Sequence, residues 1–184
     1  ISKIRVLIVD DEPVNQRVIK NHLDPQRFEL TFADDGQQAL QIMDHAPMFD
    51  LVLLDVMMPN MSGYEVCNKI REKYLPSELP VIMVTAKNQV NDLVEGLTKG
   101  ANDYLAKPFS RQEFLARVKT QIDLLQIFHI TDRFIPNEFI RSLGHERITE
   151  VKLGDLVERV VSVLFTDIRS YTTLSEAMSP EDTF

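Results

Sequence analysis

Lys3-Ile4-Arg5-Val6-Leu7-Ile8-Val9 runs straight into Asp10-Asp11. The run is nearly continuously apolar and lacks the alternation of a strand with one wet face. It reads as a strand buried on both sides, as in a parallel sheet. The same design recurs outward along the chain. Leu51-Val52-Leu53-Leu54 stops at Asp55, Val81-Ile82-Met83-Val84 stops at Thr85, and the weaker Tyr104-Leu105-Ala106 stops at Lys107-Pro108. Phe28-Glu29-Leu30-Thr31-Phe32-Ala33 alternates enough to be a strand nearer an edge. Between these runs lie helical spacings: Val14, Val18 and Ile19; Ala39, Ile42 and Met43; Val66 with Ile70; and Leu93 with Leu97. Gly36, Gly63 and Gly100 stand at junctions that need turns. Five strand–helix units predict an α/β fold, a doubly wound five-stranded parallel sheet of about 120 residues.

Composition narrows the function classes. The chain has 184 residues, 28 acidic against 20 basic, and a formal net charge of −8. Such a surface gives no electrostatic help to binding nucleic acid or an anionic membrane. No apolar run approaches the roughly 20 residues that span a bilayer, and no secretory signal pattern opens the chain. The single cysteine, Cys67, has no partner for an internal disulfide. These features predict a cytoplasmic protein with neither nucleic acid nor membrane as partner. The chain opens on Ile1 rather than Met and closes on Phe184 within a helical pattern, so a portion of a longer protein is expected.

The last helix of the first domain is expected to begin near Ser110, with Glu113 as its capping-box partner. Leu115, Val118, Ile122 and Leu125 follow at spacings of three and four. That pattern suits either a helix packed on its own sheet or a short coiled-coil seam, and the seam is the preferred reading: a homodimer through this helix. The helix should lapse after His129 and end before Pro136. A connector follows, and then Val160-Val161-Ser162-Val163-Leu164-Phe165 reads as a new strand leading through Thr166-Asp167 to a helix from Ser170. One strand and part of a helix cannot bury both faces, so this segment reads as the start of a second domain.

In an open parallel sheet the C-terminal strand ends share one edge, and ligands bind there. The chain places Asp10, Asp11, Asp55, Thr85 and Lys107 at that edge. Three clustered carboxylates repel one another unless a cation sits among them. Oxygen donors with no histidine or cysteine nearby favour a hard ion such as Mg²⁺. A lysine and a hydroxyl complete a set suited to phosphoryl transfer, with Asp55, at the end of the central strand, as the candidate nucleophile. A single strand-end aspartate is as often a helix cap; five suitable residues on four strand ends are not explained that way.

These residues carry a resemblance. Val9-Asp10-Asp11-Glu12-Pro13, Asp55-Val56-Met57-Met58-Pro59-Asn60-Met61-Ser62-Gly63, Val84-Thr85-Ala86 and Asp103-Tyr104-Leu105-Ala106-Lys107-Pro108-Phe109 resemble the receiver domain of two-component response regulators. The resemblance covers residues 1–125 and implies a (βα)₅ domain phosphorylated by a sensor histidine kinase or phosphotransfer protein. It implies Mg²⁺ on Asp10, Asp11, Asp55 and the Met57 backbone carbonyl. Asp55 would be the phosphoacceptor, Lys107 its counter-charge, and Thr85 and Tyr104 the switch pair. It also implies a cis Lys107–Pro108 bond. Met57 would tune access of water, and the small Ala86 would leave room for the phosphoryl group.

The tail resembles something else. Val163-Leu164-Phe165-Thr166-Asp167-Ile168-Arg169-Ser170-Tyr171-Thr172 is similar to the opening of class III adenylate/guanylate cyclase domains. Arg133-Phe134-Ile135-Pro136 and Val151-Lys152-Leu153-Gly154-Asp155 resemble the connector ahead of bacterial ones. The implied organisation is a receiver domain over 1–125, a helical connector over 126–159 and the start of a cyclase catalytic domain over 160–184. Asp167, and the backbone of Ile168, would hold metal in the cyclase site. Two-metal chemistry needs a second aspartate that these residues do not include, so cyclase activity is expected of a full-length parent and not of this stretch.

The competing readings are weaker. A receiver acting as a phosphorylation-dependent interaction or dimerisation module, with a non-catalytic output, is the alternative. A haloacid-dehalogenase-like hydrolase would want an aspartate where Met57 stands, and a DNA-binding regulator would want a helix-turn-helix or basic winged segment after residue 125. Cys67 is expected to be packed. His22, His45, His129 and His145 lack ligand spacing, and Met57, Met58 and Met61 are loop residues beside the acceptor.

Overall fold

In the computed structural model, residues 3–46, 48–86, 96–135, 137–145, 150–152, 154–156, 162 and 164–166 are described. Five parallel strands, β1 (Ile4–Val9), β2 (Phe28–Ala33), β3 (Leu51–Leu54), β4 (Val81–Thr85) and β5 (Asp103–Ala106), form one sheet in the order β2-β1-β3-β4-β5. The expected edge strand β2 is at an edge, and β3 is central. Strand register aligns Val9 with Ala33 and with Leu54, so the residues after these strands emerge side by side. Every residue of β3 and β4 is buried, as continuous apolar runs require.

Helices α1 (Pro13–His22), α2 (Gly36–His45) and α3 (Gly63–Arg71) follow the first three strands, and a long helix, α4 (Arg111–Phe134), follows β5. A short helix α5 (Asn137–Ser142) comes next. The expected Leu93–Leu97 helix falls partly on residues 87–95, outside the described residues; residues 96–98 are helical. Contacts divide the chain into two units, Ile1–Pro136 and Asn137–Phe184.

Two clusters cover the sheet's faces. One joins Leu7, Val9, Val52, Leu54 and Met83 with Val66, Cys67 and Ile70 of α3. The other joins Val6, Ile8, Leu53, Ile82, Val84 and Leu105 with Ile19, Phe114, Val118 and Ile122. This second cluster corrects the coiled-coil expectation. Val118, Ile122 and Leu125 are buried and Leu115 packs against the same cluster, so the proposed seam is covered within its own chain. Spacing of three and four serves a helix on a sheet equally well, and here the sheet-facing cluster takes Val118 and Ile122, with Leu115 packed against it. Helix α1 differs too. Its Val14 and Val18 are exposed, while Ile19 and the following Leu23 turn inward.

Helix ends follow local chemistry. Ser110 caps α4 by accepting the Glu113 N–H, but the Glu113 carboxylate accepts from Arg117. A complete capping box forms instead at α3, between Ser62 and Glu65. The Lys107–Pro108 peptide is cis. In the second unit, Ser162, Leu164, Phe165 and Thr166 are in no strand. The other residues of the expected tail strand, together with its helix, lie outside the described residues.

The end of the sheet away from the acidic edge is fastened by Arg71, in the last turn of α3. Its Nε donates to the Gly100 carbonyl (2.7 Å), Nη1 to the Leu79 carbonyl (2.9 Å) and Nη2 to Asn102 Oδ1 (2.9 Å). Asn102 Oδ1 also accepts the Val81 N–H, so one guanidinium ties α3 to the starts of β4 and β5. Replacing Arg71 with Met keeps the stem and strands the acceptors. A loss of about 2 kcal/mol in urea unfolding is expected; an unchanged midpoint would show that these bonds are replaced by water at no cost.

Candidate functional site

The ends of β1, β3 and β5 deliver their side chains to one pocket, and the end of β4 joins them through its backbone. The Asp10 N–H donates to the Ala33 carbonyl (3.1 Å) and the Asp55 N–H to the Val9 carbonyl (2.8 Å), extending the ladder by one residue past each strand. The Lys107 N–H likewise donates to the Thr85 carbonyl (2.7 Å). One carboxylate oxygen from each of Asp10, Asp11 and Asp55 lies within 4.8 Å of the others, the single such metal-capable group among the described residues. Asp10 and Asp55 are buried, and Asp11 reaches solvent.

Lys107 Nζ sits between the two buried carboxylates, 2.7 Å from Asp10 Oδ2 and 3.6 Å from Asp55 Oδ2. One lysine against three carboxylates leaves an uncompensated negative charge. An all-oxygen donor set with that charge fits a hard divalent cation, so the chemistry of the pocket accommodates Mg²⁺. Thr85 is fully buried. Tyr104 is buried as well, its ring clustered with Tyr64 and Met83. Met57 follows Asp55 by two positions with an exposed side chain. Asp167 and Ile168 lie outside the described residues, so the structure brings nothing to the cyclase-like motif.

The loop after β3 shapes the opening. Asn60 adopts a left-handed conformation (φ 64°), and the Gly63 N–H returns to the Val56 carbonyl (3.1 Å). The Val56 N–H donates to Asp55 Oδ1 (2.8 Å). Beside Lys107 opens a groove of about 340 Å³ lined by Asn15, Val18, Ile19, Pro108 and Phe109. Sequence reasoning passed over Asn15, whose Nδ2 donates to Asp10 Oδ1 (3.0 Å). It also passed over Gln16, whose Nε2 donates to the Asp10 carbonyl (2.8 Å) and to Asp34 (2.9 Å).

Burial pushes the Asp55 carboxyl above its ordinary value. Lys107 opposes that rise, Asp10 adds to it, and the Met57 and Val56 amides pull it back. A raised native pKa means the folded protein binds the proton more tightly than the unfolded chain. Ionisation of Asp55 therefore costs stability. The cost is absent below the ordinary carboxylate value, grows as pH rises through the window up to the raised value, and is full at neutral pH. In metal-free protein, Asp55→Asn is expected to be more stable than the parent at pH 7, with the gap closing in acid. Urea unfolding in a chelator at both pH values measures this, and a gap independent of pH would contradict it.

Comparison with known proteins agrees with the fold. The family model described as "Response regulator receiver domain" matches residues 6–119. The chain is 38% identical over 146 residues to "Probable transcriptional regulator ycf27" of Galdieria sulphuraria, covering 79% of this chain and 55% of that protein. It spans about half the length of the curated relatives it matches. Among solved structures, a CheY-like receiver domain protein from Methanospirillum hungatei is 28% identical with a TM-score of 0.61, over 68% of this chain and 98% of that one. Vibrio cholerae chemotaxis protein CheY4 is 29% identical with a TM-score of 0.59, over 65% of this chain and 98% of that one. With the match taking in residues of all five strands and Asp10, Asp11, Asp55 and Lys107 of the acidic pocket, this chain belongs to the receiver-domain family of two-component response regulators.

Proposed function

We propose that the domain is a phosphoacceptor switch in which Asp55 takes a phosphoryl group from a sensor histidine kinase or phosphotransfer protein. The observation that carries this is the convergence of Asp10, Asp11, Asp55 and Lys107 in one pocket at the sheet edge. The phosphorus–nitrogen bond of the donor phosphohistidine breaks as an Asp55 carboxylate oxygen bonds to phosphorus, and the imidazole leaves. Asp10, Asp11, Asp55 and the Met57 carbonyl would hold Mg²⁺, which when bound supplies positive charge to the phosphoryl oxygens. Lys107 neutralises a further oxygen. Thr85 donates its hydroxyl to the acylphosphate, and the buried Tyr104 ring follows it, carrying the change to the surface around β4 and β5.

Acetyl phosphate with Mg²⁺ is expected to add one phosphoryl group to the chain, and a chelator is expected to prevent it; intact mass reads both. Incorporation unaffected by chelation would remove the metal from the proposal. No incorporation, together with no binding of beryllofluoride, would remove the switch.

The output proposed is a class III nucleotide cyclase beginning at about residue 160, after the connector over 126–159. Its support is the likeness around Asp167 and Ile168, the two positions that would hold metal. A full-length parent should then form a cyclic nucleotide from ATP or GTP and lose that activity on Asp167→Ala. A second reading, a transcriptional output, is favoured by the name of the curated relatives. Retained DNA binding with no cyclic product would decide for it. An output that only binds a protein partner is the third outcome of the same assays.

A further inference from the structure

We propose that Asn15 is a positioning residue of the acidic pocket, fixing Asp10 so that a single oxygen, Oδ2, faces both Lys107 and a divalent cation. The inference rests on the reading of the pocket as a cation-binding site and assigns part of its selectivity to a residue outside it. Asn15 stands in the first turn of α1, and its Nδ2 donates to Asp10 Oδ1 (3.0 Å) and Glu12 Oε2 (3.1 Å). Both partners are carboxylates, which only accept when ionised. The amide must therefore present its nitrogen to them, and its orientation is settled by chemistry.

The Glu12 N–H donates to the same Oδ1 (3.0 Å). A carboxylate oxygen offers about two acceptor sites, so Oδ1 is filled by Glu12 and Asn15. On the other side Lys107 Nζ takes one site of Oδ2 at 2.7 Å. Among the described residues this leaves one acceptor site of Asp10, on Oδ2, and the Asp10 side chain is only 2% exposed. Asn15 is neutral, so it sets this orientation without adding charge to the pocket. Gln16, the next residue, holds the Asp10 backbone carbonyl at 2.8 Å, which limits movement of the main chain beneath the side chain.

The consequence is a geometric constraint on the cation. Mg²⁺ demands near-ideal octahedral geometry from few carboxylates, whereas Ca²⁺ accepts variable and bidentate ligation. Fixing Asp10 to one available oxygen favours the first. Without the Asn15 donor only the Glu12 N–H holds Oδ1, one of its acceptor sites opens, and the carboxylate is freer to turn and offer both oxygens, which suits the larger ion. Groups that orient a metal ligand are commonly worth a factor of ten or more in affinity.

The test is calorimetric titration of the unphosphorylated full chain with Mg²⁺ and, separately, Ca²⁺. Asn15→Leu, of similar size without the donor, is expected to bind Mg²⁺ about tenfold more weakly while Ca²⁺ changes far less. In an Asp10→Asn background the same substitution should have no further effect on either ion. Equal losses for both ions, or a Mg²⁺ loss that persists in the Asp10→Asn background, would overturn the positioning role in favour of general loosening. Unchanged Mg²⁺ affinity would also overturn it. Asn15→Ala repeats the measurement should the leucine variant fail to fold. A parent chain that binds no Mg²⁺ overturns the reading of the pocket, and the role of Asn15 with it; Mg²⁺ binding by the parent with no effect of Asn15 overturns the role alone.

Discussion

Asp55→Asn is expected to take up no phosphoryl group under conditions in which the parent chain takes up one. The amide keeps the volume and shape of the carboxylate but has neither the charge nor the nucleophilic oxygen that attacks phosphorus. Other carboxylates are present, but Asp10 is engaged by three donors, from Glu12 and Asn15 on Oδ1 and from Lys107 on Oδ2 at 2.7 Å. Asp55 Oδ2 faces Lys107 at the longer distance of 3.6 Å, which leaves it the freer nucleophile. The comparison is intact mass after incubation with acetyl phosphate and Mg²⁺, parent beside variant. Circular dichroism should be unchanged, because the variant removes a buried charge and adds no bulk. A phosphoryl group that persists in Asp55→Asn would move the acceptor elsewhere and undo the assignment of Lys107, Thr85 and Tyr104 as well.

Gly63→Ala is expected to cost about 3 kcal/mol or more in urea unfolding and to slow phosphorylation with it. A Cβ at Gly63 would lie 2.1 Å from the Asp55 carbonyl oxygen and 2.9 Å from both the Asp55 carbonyl carbon and Val56 Cα. All three are backbone atoms, so no rotamer relieves the clash. The loop from Val56 to Ser62 would have to open, and the Gly63 N–H to Val56 carbonyl bond (3.1 Å) with it. Since the obstructing carbonyl belongs to Asp55 itself, the relaxation displaces the acceptor. Wild-type stability in Gly63→Ala would mean that the loop adjusts freely and that its close approach does not set the pocket.

Much of this was legible in the sequence because the relevant constraint is local. A strand buried on both faces must be apolar at nearly every position, so Val6–Val9, Leu51–Leu54 and Val81–Val84 announce themselves and their ends. The residue types at those ends, read with the rule that parallel strands share a carboxyl edge, placed Asp10, Asp11, Asp55, Thr85 and Lys107 together. The capping box of Ser62 and Glu65 was equally readable as a Ser-x-x-Glu pattern and was passed over.

Other features leave no local trace. Leu115, Val118, Ile122 and Leu125 carry a periodicity that states only that one helix face is apolar; whether a second subunit or the chain's own sheet covers it depends on where the sheet lies. Arg71 bonds mainly to backbone carbonyls, which every residue possesses, so no side-chain pattern marks its acceptors. Asn15 is an ordinary polar residue in a first helical turn until α1 is set against the end of β1. For the five sheet strands, their positions, their ends and the chemical groups gathered at the sheet edge follow from local residue order, because burial and strand direction act position by position. Which face of α4 is spent on the core, and that Asp10 Oδ2 turns to Lys107, came only with packing, because the sheet and Lys107 reach these groups from distant parts of the chain.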